Sequence, residues 1–111
     1  MEILEQVKGA VTLLTPRGPL CEADAENFKR KAAEASAAAM GRVVIDASAI
    51  PYADSRGLEA LVDLSEELGE SGQTLRLCAA NETLREVLEL TDLSGMFEHY
   101  EDVNAAVRSF L

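Results

Sequence analysis

The run Arg42–Asp46, RVVID, is the feature that most limits what this chain can fold into. Its apolar residues are consecutive, whereas a strand with one solvated face alternates apolar and polar side chains. Its β-branched residues also favour an extended backbone. The run therefore predicts a strand that is buried on both faces, as in the middle of a parallel sheet. A second, mostly apolar run, Thr74–Ala79, predicts another buried strand.

Helical patterns separate and follow these strands. Apolar residues recur at helical spacing in several segments, and Gly41 is a typical residue just after a helix end. Asn81 and Asp102 are typical N-cap residues, because their side-chain oxygens accept bonds from free backbone N–H groups. The predicted helices span 22–40, 55–69, a segment from Asn81 to about Leu90, and a segment after Asp102.

A β-hairpin is predicted ahead of the first helix. Its strands are 2–7 and 11–15, with a turn at Lys8-Gly9, and the segment Pro16–Pro19 is expected to break regular structure. A last short strand is predicted at 96–100. The order is therefore β-β-α-β-α-β-α-β-α, an α/β fold in which helices cover a mostly parallel sheet.

Length and charge limit the classes of function. A chain of 111 residues suits a single domain, residues 1–111, and it carries 20 acidic against 10 basic residues, a net charge of −10. This charge argues against nucleic acid and anionic membranes as partners, and favours a basic or neutral protein surface. No signal peptide or apolar segment of about 18 residues is visible, so we expect no membrane insertion and a cytoplasmic location.

The pair Asp54-Ser55 lies where ligand and partner sites form in open α/β sheets. It follows the buried strand 42–46 and opens a helical pattern, so it is expected at the carboxyl end of the sheet. A phosphate on the Ser55 hydroxyl would meet the positive end of a helix and would add about −1.5 to −2 charge beside Asp54. Most such pairs are simply helix caps, so the surrounding pattern decides the interpretation.

That surrounding pattern resembles the STAS domains, and among them the bacterial anti-sigma factor antagonists. Residues 43–61, VVIDASAIPYADSRGLEAL, are similar to the family's apolar strand ending in Asp, short loop and Asp-Ser-x-Gly-Leu helix start. Residues 14–31 resemble its Gly-x-Leu-Asp segment before the first helix, and residues 75–102 its final strand-helix-strand. The resemblance covers nearly the whole chain.

The resemblance implies a regulatory function. In the family, a partner that is both serine kinase and anti-sigma factor phosphorylates the serine after Asp; the unmodified antagonist binds this partner, and the phosphorylated one does not. The carried-over phosphoacceptor is Ser55. The residues expected to form the partner-binding surface are Asp54, Ser55, Arg56, Gly57, Leu58, Cys21 and Asp46. No enzyme activity, metal or cofactor is expected, and the sequence indicates no oligomeric state.

Two positions depart from the family pattern. Arg56 replaces a small residue after the serine, and Cys21 replaces the Asp of Gly-x-Leu-Asp. A thiol caps a helix poorly, so Cys21→Asp is expected to stabilise the chain by up to about 1 kcal/mol. Gly57 is expected to let a partner backbone approach, and Gly57→Ala to cost little stability.

The sequence also bears on two other classes of function. Thiol catalysis would need Cys21 to meet His99, the only histidine, and nothing in the sequence brings them together. A STAS scaffold without phosphorylation, or a subunit of another signalling or lipid-transport assembly, is favoured by Cys21 and Arg56. The antagonist and scaffold interpretations both stay open on the sequence alone.

Overall fold

A computed structural model describes all residues, 1–111, and it has the predicted order of elements. The elements are β1 (Glu2–Lys8), β2 (Val11–Arg17), α1 (Glu22–Ala38), β3 (Val43–Asp46), α2 (Ser55–Glu70), β4 (Leu75–Cys78), α3 (Glu82–Leu90), a 3-10 turn (Ser94–Met96), β5 (Phe97–Tyr100) and α4 (Val103–Arg108). The predicted hairpin, the four helices and the three later strands are thus confirmed, with boundaries that shift by at most two residues.

The five strands form one sheet in the order β1-β2-β3-β4-β5. β1 pairs antiparallel with β2, and the other pairs are parallel, with Leu14 opposite Ile45 and Ile45 opposite Leu77. The carboxyl ends of β2 to β5 therefore lie at one edge of the sheet. The turns that lead from β2, β3 and β4 into helices meet at this edge.

The core has two parts, one on each face of the sheet. Because successive parallel strands are neighbours, right-handed crossovers place α1, α2 and α3 on the same face. There Phe28, Leu61 and Leu84 belong to a cluster of 20 buried residues. On the other face, α4 contributes Ala106 to a smaller cluster with Val44. β3 is covered on both faces, as its apolar run predicts.

Arg76 of β4 holds α4 against the second face. Its guanidinium carbon lies 3.7 Å from the centroid of the Phe110 ring, and its Nε donates to the Ser109 hydroxyl at 2.7 Å. A cation over an aromatic face is attracted by the ring's electrons, and burial strengthens this attraction. No helix of the chain is both long and apolar enough to cross a membrane.

The structure corrects the prediction that Pro16 and Arg17 break regular structure. β2 continues through Arg17, with Pro16 opposite Ile3 of β1. The pairing of β2 with β3 ends at Leu14, so Pro16 lies where β2 has a neighbour on one side only. A proline is tolerated at such a position because no donor is required on the open side.

Candidate functional site

Leu20 joins the first two turns at the carboxyl edge. Its N–H donates to the Tyr52 carbonyl at 3.0 Å, and its carbonyl accepts from the Asp54 N–H at 3.1 Å. This exchange pairs Leu20 with Ala53 as a short parallel bridge. The turn before α1 and the turn before α2 are therefore fixed to each other by their backbones.

Asn81 attaches the third turn to the second. Its Oδ1 accepts from the Leu84 N–H at 2.8 Å, which caps α3 as the sequence predicts. Its Nδ2 donates to the carbonyls of Ile50 and Pro51, each at 3.2 Å. The turn that carries Asp54 is thus held from both sides, and this rigidity lowers the entropy cost of binding there.

Gly57 lies against the backbone of Leu20. The glycine is buried, and a Cβ atom on it would overlap the Leu20 carbonyl oxygen and lie 2.8 Å from the carbonyl carbon. The close approach that the sequence assigns to a partner is made by the chain's own backbone. The expectation that Gly57→Ala costs little stability is wrong, because the space for a methyl group is already filled.

Asp54 caps α2 and also reaches α1. Its Oδ1 accepts from the Gly57 N–H, and its Oδ2 accepts from the Glu22 N–H, both at 2.9 Å. The bond from Gly57, then the bond from Glu22 and the charge of Arg56, lower the pKa of this carboxyl, against the opposing effect of burial. Cys21 is the N-cap residue of α1, and its thiol makes no capping bond.

Ser55 is the first residue of α2, and it is exposed. Its position follows from the Asp54 cap, and the hydrogen bonds that fix the turn do not use its hydroxyl. Tyr52, three residues earlier, is half exposed, with its backbone carbonyl held by Leu20. We call the surface formed by Cys21, Glu22, Tyr52, Ser55 and Arg56 the Ser55 surface.

A charged cleft between α1 and α2 adjoins the Ser55 surface. Four acidic and two basic side chains line it, namely Glu22, Glu26, Glu59, Asp63, Lys29 and Arg56. Lys29 bonds to Asp63 Oδ2 at 3.2 Å, and this bond, with the charge of Glu26, raises the lysine's pKa. Arg56 is therefore the cation nearest Ser55 in the chain that is not already bonded to a carboxylate.

The structure brings only part of the predicted site together. Cys21, Asp54, Ser55 and Arg56 are neighbours, whereas Leu58 is buried in the core with its side chain unavailable to a partner. Asp46 ends β3 with its side chain on the α4 face, where its Oδ1 accepts from the Ser48 N–H at 3.0 Å. The prediction that a partner contacts Leu58 and the Gly57 backbone is thus corrected. Leu58 packs in the core, and Gly57 packs against the Leu20 backbone, so both support the site from inside the chain.

Sequence reasoning missed the residues that hold this site. Leu20 supports Gly57 through a carbonyl, which no side-chain pattern reveals, and the sequence pattern predicts Asn81 only as a cap. For Tyr52 the sequence does hold a signal, because an aromatic residue next to a proline, in a turn at the carboxyl edge, indicates an exposed contact.

Comparisons with known proteins agree with this fold. The family model described as STAS domain matches residues 2–106. No curated protein matches the chain significantly. A crystal structure of a candidate anti-sigma factor antagonist from Thermotoga maritima is similar with a TM-score of 0.88 and 22% identity, over 96% of this chain and 92% of that one.

Two further solved structures are similar over most of the chain. The Bacillus cell fate determinant SpoIIAA in its phosphorylated form has a TM-score of 0.72 and 16% identity, over 99% of this chain and 100% of that one. A sulfate transporter family protein from Wolinella succinogenes has a TM-score of 0.76 and 17% identity, over 94% of this chain and 87% of that one. At these identities the similarity shows the fold.

Proposed function

The chain belongs to the STAS domain family, and on that premise we propose that it is an anti-sigma factor antagonist controlled by phosphorylation of Ser55. In this proposal it acts in the cytoplasm by binding, without catalysis of its own. Its partner is a protein that is both serine kinase and anti-sigma factor. The Ser55 surface binds this partner, and a phosphate on Ser55 ends the binding.

The exposed hydroxyl of Ser55 on a fixed backbone is the observation that carries this proposal. A kinase needs access to the hydroxyl, and a partner surface needs a rigid contact, so one residue at the start of α2 can meet both requirements. SpoIIAA, which has the same fold, occurs in a phosphorylated and an unphosphorylated form, and this supports a phosphorylation switch on such a scaffold.

Charge supplies the physical reason for an off-switch. The phosphate would add about −1.5 to −2 charge next to Asp54, and the adjoining cleft already holds four acidic side chains. Docking a partner would remove water from this dianion, and Arg56 is the one nearby cation that is not already bonded to a carboxylate. Burying a charge without full pairing is strongly unfavourable, so the phosphorylated surface should bind far more weakly.

Direct incorporation of phosphoserine at position 55 during translation tests the proposal. The protein is titrated by calorimetry with the purified serine-kinase anti-sigma factors of the same host, and phosphoserine at Ser71, at the opposite end of α2, is the control. We expect one partner to bind the unmodified chain and the Ser71 form, and to bind the Ser55 form at least tenfold more weakly. Equal affinities for all three would remove Ser55 from the switch.

The scaffold interpretation is the second candidate. It is favoured by Cys21, which leaves the start of α1 without the family's carboxylate, and by the similarity to a sulfate transporter family protein. Mass spectrometry of the chain purified from its host separates the two candidates. A phosphate found on Ser55 under any growth condition supports the antagonist, and its absence under all conditions supports the scaffold.

A further inference from the structure

We propose that Asp54 is the positioning residue of the Ser55 surface: its single carboxylate ties the start of α2 to the start of α1. This inference rests on the proposed function, since positioning affects recognition only if a partner contacts both Ser55 and the turn before α1. Its structural part, however, can be tested without any partner.

The Asp54 carboxylate accepts one hydrogen bond from each of two helices. Oδ1 accepts from the Gly57 N–H within α2, and Oδ2 accepts from the Glu22 N–H, which is 32 residues distant in sequence. Each helix begins with free N–H groups that need acceptors. The Glu22 N–H is one such group, and Cys21, the N-cap of α1, supplies no side-chain acceptor. The Asp54 carboxylate, at the start of the other helix, therefore supplies the acceptor that Cys21 does not.

The other caps in the chain show that this double use is specific to Asp54. Asn81 and Asp102 each accept one N–H of their own helix through the side-chain oxygen, from Leu84 and Ala105 respectively. A capping asparagine has one acceptor oxygen, whereas a carboxylate has two, each of which can face a different N–H group. At position 54 both oxygens are used, and only a carboxylate offers two acceptors in this geometry.

The consequence is that Ser55 and the Cys21–Glu22 turn are presented as one surface. The backbone pairing of Leu20 with Tyr52 and Asp54 brings the turns together, but it lies before the first residue of either helix. The Asp54 carboxylate extends this connection to the first turn of both helices. The two turns therefore have a fixed relative position before a partner binds. A partner that contacts both of them avoids the entropy cost of ordering them.

Glu22→Pro removes the Glu22 N–H while leaving Asp54 and Ser55 unchanged. Proline is favoured at the first position of a helix, and Cys21 has the extended backbone, φ −138° and ψ 179°, that a residue before proline adopts. The variant should therefore fold. Glu22→Ala is the matched control, because it removes the same side chain and keeps the N–H.

The first measurement follows backbone amide NMR signals as pH is lowered. In Glu22→Ala, where residue 22 has no carboxyl of its own, the amides of residues 22 and 57 should shift with one common midpoint, below the ordinary range of an aspartate, because both bond to the Asp54 carboxyl. In Glu22→Pro the Gly57 midpoint should lie higher than in Glu22→Ala, because the bond from residue 22 is lost. Arg56 is retained in every variant, so its charge cancels from the comparison. Separate midpoints for the two amides, or no difference between the variants, would overturn the inference.

The second measurement is phosphorylation of Ser55 by the kinase partner. Positioning predicts that Glu22→Pro raises KM at least threefold relative to Glu22→Ala, while Asp102→Asn, at a cap that serves one helix, leaves KM unchanged. An equal KM in both Glu22 variants would show that the link has no role in recognition. If the unchanged chain is not phosphorylated at all, the proposed function fails, and the amide titration still decides whether Asp54 joins the helices.

Discussion

Gly57 and Leu20 are in contact through backbone atoms alone: a Cβ atom on Gly57 would overlap the Leu20 carbonyl oxygen. That carbonyl also accepts from the Asp54 N–H, so it cannot withdraw without breaking the bridge between the two turns. The turns before α1 and α2 can therefore pack together only because residue 57, although it lies in a helix, is a glycine.

Gly57→Ala is expected to lower the free energy of unfolding. Alanine is favoured over glycine in a helix by about 1 kcal/mol, but forcing a methyl group into filled space costs about 1–3 kcal/mol, and here the atom that would have to move is backbone. Gly69 of the same helix is the control, because it has no atom within 4 Å of a Cβ, so that Gly69→Ala should be neutral or stabilising. Urea denaturation of both variants measures the difference, and equal stability would contradict the packing argument.

The sequence was sufficient for the fold because its signals were local. The apolar run in β3, the stripe of α2 and the caps Asn81 and Asp102 each specify an element by its own residues. The site was predictable only in part. Ser55 and Asp54 follow from a linear motif, but the bond from Glu22 to Asp54 joins residues 32 apart, and no periodicity encodes it. The same holds for Gly57, whose neighbour is a carbonyl.

Ser55→Asp is expected to weaken partner binding, while Ser55→Ala keeps it. The aspartate places a negative charge beside Asp54 on the surface that docks, although it carries less charge and fewer acceptor oxygens than a phosphate. The loss should therefore be smaller than that caused by phosphoserine. Calorimetry against the kinase partner measures both affinities, and equal values would place Ser55 outside the interface.

Arg76→Met is expected to loosen α4. The methionine keeps an apolar stem on β4 but loses the cation over the Phe110 ring and the bond to Ser109. A partly buried contact of this kind contributes about 1–2 kcal/mol. Faster hydrogen exchange should be confined to α4 amides such as that of Ala106. Arg85→Met, at an exposed position of α3, is the control. It should change neither the free energy of unfolding nor the hydrogen exchange of α4 amides. Uniformly faster exchange would show that Arg76 supports the whole sheet instead.

Cys78 is expected to make stability fall at alkaline pH. Burial, followed by the charges of Asp46 and Asp102, raises the pKa of its thiol to about 12, from an ordinary value of 9.0. Above pH 9 the unfolded chain therefore loses this proton while the folded chain keeps it. The equilibrium constant for folding therefore falls between pH 9 and pH 12, by up to about tenfold per pH unit.

Comparison with Cys78→Ala isolates this effect from the titration of lysines and tyrosines. The variant should lose stability by a constant amount at neutral pH because of the space left by the sulfur, and the two curves should converge as the pH rises above 9. Denaturation in urea at several pH values gives both curves. Parallel curves would mean that the thiol ionises as easily in the folded chain as in the unfolded one.

Tyr52 is expected to be the residue of the Ser55 surface that contributes most to partner affinity. It is 50% exposed, the only exposed large hydrophobic side chain on this surface, and its carbonyl is fixed by the Leu20 N–H. Tyrosines held in place by a rigid backbone are frequent binding hot spots, whose truncation costs about 2 kcal/mol or more, or roughly thirtyfold in affinity. Tyr52→Ala should show this loss while the free energy of unfolding stays nearly unchanged, since half of the side chain is already in water.

Leu90→Ala is the matched control for Tyr52→Ala. Leu90 is 83% exposed, and it lies at the opposite end of α3 from Asn81, whose side chain bonds to the Tyr52 turn. Its loss should leave affinity unchanged. If Tyr52→Ala binds the kinase partner as tightly as Leu90→Ala does, the partner contacts α2 beyond Ser55 and not the turn before it, and the Ser55 surface would have to be redrawn along the charged cleft.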